Sequence, residues 1–231
     1  MTHDLIDALH QLAEVLQRQE TLGAALATIA EAATGSVPRC DAGTVALSIE
    51  GRPITAAMTA RFALELDLVQ YDTHDGPCLT SLRTMSSLRL DVAEEDQAFP
   101  HFTREARLRG VRGVLSVPAT WGDDVVATLN LYSRTGPFDE TAVSVAAVLS
   151  AQVAIAVSRS PEFVAARSVV EQGQRDLEDQ AQVQVATGLL MVNEACTAEQ
   201  AEGLLRSAAA QDEETVVEIA QRIIDQHHRS R

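Results

Sequence analysis

Apolar positions along the chain change period several times, and each change marks an element. Leu5, Leu9, Leu12 and Leu16 alternate four and three apart, which predicts a first helix over 3–19 with a coiled-coil-like seam. ETLGAALATIAEAAT predicts a second helix over 20–34. Two β-prone runs follow, GTVALSIE and RPITAAMTA, joined by a tight turn at Glu50–Gly51–Arg52. Short helices are expected over 60–85, a strand over 88–92 and a helix over 99–109. GVLSVPAT and VVATLNLYS are the most strongly β-prone runs, with a hairpin signal at Trp121–Gly122–Asp123–Asp124 between them. A helix over 139–159 carries the stripe Val143, Ala146, Leu149, Val153 and Val157.

After Pro161 the pattern is helical throughout, and no aromatic residue lies beyond Phe163. Phe163, Ala166, Val170, Gly173 and Leu177 keep a 3–4 alternation, which predicts a coiled-coil linker. Three short helices are expected over 178–194, 198–211 and 213–227, the middle one opened by a capping box of Thr197 and Gln200. Together these elements predict an α+β fold: an antiparallel sheet flanked by helices, then a helical linker and a three-helix bundle. The expected division is 1–160, 161–177 and 178–231.

Composition narrows the function classes. The formal charge is −15, and all 18 basic residues are Arg. Such a charge opposes non-specific binding to nucleic acid or to an anionic membrane, so any RNA contact must be local. Cys40, Cys78 and Cys196 are widely spaced with no CxxC, a usage that suits a reducing cytoplasm. The N-terminus reads as an amphipathic helix and not a signal peptide, and no apolar run approaches the ~20 residues of a membrane span. A soluble, cytoplasmic protein is the expectation.

Two stretches carry resemblances. DGPC (75–78), FPHF (99–102), GVRGVLSVP and ATLNLYS followed by PFDE, in that order over about residues 20–160, resemble a GAF sensor domain. The tail, with ATGLLM, TAEQAEGLLRSAA and VVEIAQRII, resembles the ANTAR three-helix module. The combination is similar to bacterial, actinobacterial-type regulators of transcription antitermination. The resemblance implies a sensor controlling a module that binds paired RNA stem-loops in nascent transcripts and prevents termination. It also implies a small-molecule ligand in the GAF domain, in a pocket between the sheet and segment 60–110 where Tyr71, Cys78, Phe102, Arg112 and Asn130 would point inward. Scaffolding of a dimer is the other role that GAF domains play. No cofactor is implied.

The tail departs from the family it resembles. Thr187 stands where a Lys is common, and Glu202 where an aromatic residue is often found. Residues 178–231 hold four Arg against ten acidic residues. RNA contact would therefore fall to Arg206 and Arg222, helped by Thr187 and Asn193. The alternative is a protein-interaction or decoy regulator that keeps the fold and has lost the basic surface. Ala186, Gly188 and Ala201 read as packing positions, with Gly188 letting helices approach closely.

Candidate chemistry is sparse. Cys78 in DGPC reads either as a small buried residue or as a thiol activated by a helix N-terminus. A GAF-type free methionine sulfoxide reductase works through several cysteines, and only Cys40 and Cys78 are available. His74 and His101 read as solvated loop residues rather than haem ligands. The chain has no metal-ligand spacing, nucleophile elbow, P-loop or receiver pattern, so a catalytic role is not expected. A homodimer is, through the Leu5–Leu16 seam and the Val143–Val157 stripe.

Overall fold

The structure, a computed structural model, describes residues 21–49, 51–93 and 98–229. The Leu5–Leu16 seam lies outside these residues. Two compact units are present, residues 1–167 and 168–231.

In the first unit, helix α1 (Leu22–Ser36) starts at Thr21, whose Oγ1 accepts the Ala24 N–H at 3.2 Å. Strands β1 (Ala42–Ile49) and β2 (Arg52–Met58) follow, then α2 (Arg61–Thr73), α3 (Pro77–Thr84), β3 (Leu88–Asp91) and α4 (Pro100–Leu108). Strands β4 (Gly113–Trp121) and β5 (Asp124–Ser133) form the expected hairpin, closed by a pairing of Trp121 with Asp124 around Gly122 at φ 63°. The five strands make one antiparallel sheet in the order β2-β1-β5-β4-β3.

Strand alternation gives the sheet two unlike faces. Val45, Leu129, Leu131, Leu115 and Val117 point to one side and pack with α1 and with α5 (Glu140–Ser158), the apolar core of the unit. Ala42, Tyr132, Val114 and Leu90 point to the other, under α2 and α4. Asp139 opens α5, its Oδ1 accepting the Ala142 N–H at 2.9 Å.

The stripe on α5 is corrected by the structure. Ala146, Leu149, Val153 and Val157 are buried within the unit's own core, with Val143 packed beside them, so this stripe is not a surface left for a partner. Among the described residues α5 is also long and apolar enough to cross a membrane by composition, contrary to the expectation from run length. Its apolarity has a local cause: it covers β4 and β5.

Gly113 shows how closely the sheet is bounded. A Cβ there would meet the Gly136 carbonyl and lie 2.8 Å from Pro137 Cα, which is backbone and does not rotate aside. Gly113→Ala is expected to cost about 1–3 kcal/mol in denaturant unfolding, as overpacking does. A wild-type midpoint would show that the 136–137 loop yields freely.

From Pro161 a single helix, α6, runs unbroken to Asn193. The sequence pattern divides this span into a linker and a bundle helix. Nothing in it stops a helix, however: after Pro161 there is no further Pro, and the isolated Gly173 and Gly188 cost only about 1 kcal/mol each.

In the second unit, α7 (Ala198–Asp212) and α8 (Val216–Arg229) pack together. The capping box forms as expected: Thr197 Oγ1 accepts from Gln200 N at 3.3 Å, and Gln200 Oε1 accepts from Thr197 N at 2.9 Å. Ala186, Leu205, Ala209, Ile219 and Ala220 make the core. Gly188 is corrected. Open space surrounds the position of a Cβ there, so among the described residues no helix needs its missing side chain.

Candidate functional site

The second face of the sheet changes from apolar to polar along its strands. Thr44, Asn130 and Ser116 stand side by side on β1, β5 and β4, one row from Ala42, Tyr132 and Val114. Thr128 and Thr55 belong to the next row, joined through Ala46. Five hydroxyl or amide side chains thus share a face, and all but Thr55 are buried.

Asp67 of α2 descends onto this face and is fully buried. Its Oδ1 accepts from Tyr132 Oη at 2.5 Å and from Asn130 Nδ2 at 3.3 Å, and its Oδ2 accepts from Thr55 Oγ1 at 2.9 Å. Thr55 has given its only proton to the carboxylate, so the Tyr71 hydroxyl, 2.8 Å away, donates to Thr55. Burial pushes the Asp67 carboxyl up from 3.8 to about 6, with the surrounding donors opposing that rise. Burial and the neighbouring Asp67 likewise hold the Tyr132 phenol well above its ordinary value.

Gln70, one turn further along α2, is also fully buried. Its Oε1 accepts the Cys78 N–H at 2.7 Å at the start of α3, and Gly76 is required there because a Cβ would run into the Gln70 side chain. Among the described residues, four buried polar atoms of the cluster lack a hydrogen-bond partner: Gln70 Nε2, Ser116 Oγ, Thr128 Oγ1 and Asn130 Oδ1. An unmet buried donor or acceptor costs about 1–3 kcal/mol, so these atoms, three on the sheet face and one on α2, call for polar partners, of which water is one.

Of the five expected ligand residues, the structure brings Tyr71, Cys78 and Asn130 together. Phe102 is buried in the apolar cluster beside them, with Tyr132 and Leu66. Arg112 is corrected: its side chain is exposed, because residues 111 and 113 take the inward positions. The activated-thiol alternative for Cys78 also fails. Burial, helped by the neighbouring Asp67, pushes this thiol up to about 12. Burial raises the Cys40 thiol as well, to about 11. His74 and His101 are exposed.

Asp67, Gln70 and Thr55 were not anticipated. The signal was present on α2, where Ala63, Leu66, Asp67 and Gln70 form the buried stripe at i, i+3, i+4 and i+7. An acid inside an apolar stripe is the mark of a buried site.

In the second unit the expected RNA residues are differently placed. Thr187 is buried but for 9% of its surface, and its Oγ1 donates to the Val183 carbonyl at 2.7 Å, so its hydroxyl proton is already taken. Asn193 is exposed at the end of α6. Arg206 on α7 pairs with Glu202 at 2.6 Å, and Arg222 on α8 pairs with Asp212 and Glu214. A groove beside Arg222 is lined by Glu214, Glu218 and Asp225 together with Arg229. Among the described residues no three His, Cys, Asp or Glu side chains form a metal-binding group.

The GAF domain family matches residues 4–157. The chain belongs to this family. The ANTAR domain family matches residues 171–224, which makes the chain a GAF–ANTAR protein. No curated protein matches it. Among solved structures it is similar to the GAF domain of a phosphoenolpyruvate-protein phosphotransferase from Acinetobacter, at 15% identity and TM-score 0.53, covering 68% of this chain and 95% of that one. The corresponding GAF domain from Coxiella burnetii gives 16%, 0.52, 67% and 92%. The reduced form of fRMsr of Staphylococcus aureus gives 11%, 0.51, 66% and 94%. At these identities the likeness shows the fold of the GAF unit and nothing finer.

Proposed function

We propose that this GAF–ANTAR protein is a signal-responsive regulator of transcription termination. The GAF unit holds a small polar effector at the Asp67 cluster, and the ANTAR unit engages paired stem-loops of nascent RNA. The observation that carries the reading is the group of four orphaned polar atoms in a GAF fold that shares its chain with an ANTAR module. On this reading residues 1–160 sense, 161–177 link and 178–231 are the output. The protein works in the cytoplasm, as a homodimer, and without catalysis. Exposed Val170 and Leu177, seven apart on the 3–4 seam of α6, support dimerisation through a coiled coil. The protonated, buried thiol of Cys78 supports a binding role over an enzymatic one.

One set of observations favours the second reading, a protein-interaction or decoy regulator. Arg206 and Arg222 are both occupied by acidic partners, and Thr187 is buried. An RNA ligand would have to displace those carboxylates, although exposed pairs of this kind are individually weak.

The test is an electrophoretic shift with a two-hairpin RNA at moderate salt. A retarded complex is expected, with a shallow salt dependence because few cations take part. Arg206→Ala should weaken it roughly tenfold, through loss of a charged hydrogen bond. Glu202→Gln, which frees Arg206, should tighten it. If neither the wild type nor Glu202→Gln retards the RNA, the protein-interaction reading takes its place.

A further inference from the structure

A surface cleft of about 560 Å³ opens between the β1–β2 turn, the end of α2 and α3. Tyr71, Leu79 and Leu82, all half-buried, supply its apolar side, and Arg52, His74 and Arg83 stand exposed around it. Among the described residues lining it there is no acid, in a chain whose formal charge is −15. Asp72 and Asp75 flank His74 in the chain without lining the cleft, so the charged side chains that an incoming molecule touches there are Arg52 and Arg83. Arg83 is steadied by donating to Thr80 Oγ1 at 3.3 Å.

We propose that this cleft binds a small organic anion, a carboxylate or phosphate monoester on an apolar or aromatic body. The two halves of the cleft ask for different things. Guanidinium groups offer forked donors that match the oxygens of a carboxylate or phosphate. The Tyr71 ring and the two leucines favour a body that leaves water, which an inorganic ion does not have. A neutral molecule would satisfy only the apolar side.

Tyr71 gives the cleft a line to the interior. It lines the cleft, and its hydroxyl bonds Thr55 at 2.8 Å, which in turn donates to Asp67. An occupant is therefore one side chain away from the buried cluster. The proposal does not depend on an effector at Asp67 itself, because the cleft residues are a separate set apart from Tyr71.

The test is calorimetric titration of the full-length protein with benzoate and phenyl phosphate as probes, and with benzamide and inorganic phosphate as controls. Both probes should bind, more weakly as salt is raised, and well ahead of either control. Arg52→Gln and Arg83→Gln should each weaken binding roughly tenfold, and together abolish it. Both residues are exposed, so unchanged thermal melts should accompany these losses. Benzamide binding as well as benzoate would overturn the proposal, because charge would play no part. Inorganic phosphate matching phenyl phosphate, failure of both probes, or binding that survives the double substitution would overturn it equally.

Discussion

Asp67→Asn is expected to stabilise the protein more at pH 7 than at pH 4, by about 2–3 kcal/mol relative to wild type. The burial of Asp67 raises its carboxyl from 3.8 in the unfolded chain to about 6 in the fold. Between those values the folded state holds a proton that the unfolded state has released. Stability from this group is therefore full below about pH 4, declines as pH rises toward 6, and stays reduced above it. Asn mimics the neutral acid: its oxygen still accepts from Tyr132 and Asn130, and its amide donates to Thr55, whose hydroxyl turns toward Tyr71. Other groups titrate equally in both proteins, so the difference between the two pH–stability profiles isolates Asp67. Urea unfolding from pH 4 to pH 8 is the measurement. Parallel profiles would show that Asp67 is ionised throughout and that its hydroxyl and amide partners outweigh the loss of water.

Leu205→Ala is expected to cost about 3 kcal/mol and to melt the ANTAR unit. Leu205 is 1% exposed, and its companions in the core are Ala186, Ala209, Ile219 and Ala220. Three of these are alanines, so Leu205 and Ile219 contribute most of the fully buried apolar volume, with Val183, Leu190, Val216, Ile223 and Ile224 packed partly buried around them, and a unit this small has little stability to lose. Leu204 is the control, one residue earlier on the same helix and 47% exposed. Hydrogen exchange of α7 and α8 should accelerate in Leu205→Ala and stay unchanged in Leu204→Ala. Equal behaviour of the two would mean that the helices are held by something other than this core. RNA retardation, where the wild type shows it, should vanish in Leu205→Ala and survive in Leu204→Ala.

Between residues 21 and 160 the sequence by itself determined the elements and their order, whereas the linker and first bundle helix that it kept apart are one helix, α6. The β-prone runs, the Gly122 hairpin and the Thr197–Gln200 capping box are local, so neighbouring residues were enough to specify them. The two-domain organisation was legible for a related reason, since GAF and ANTAR motifs are short strings at fixed spacing. Tertiary structure decided what each periodic position faces. The α5 stripe read as a seam for a partner because period alone cannot distinguish a chain's own sheet from a second copy, and here the sheet takes it. Gly188 read as a packing contact, and the space beside it is open. Arg112 and Thr187 exchanged their expected environments, one turning outward and the other inward. In each case a single residue's parity on its strand or angle on its helix sets the outcome. The Asp67 cluster is the fullest example. Its members come from β1, β2, α2, β4 and β5, as far apart in sequence as Thr44 and Asn130, and only strand register sets them side by side. A buried carboxylate depends on all its partners at once, and those partners meet only when the sheet has formed.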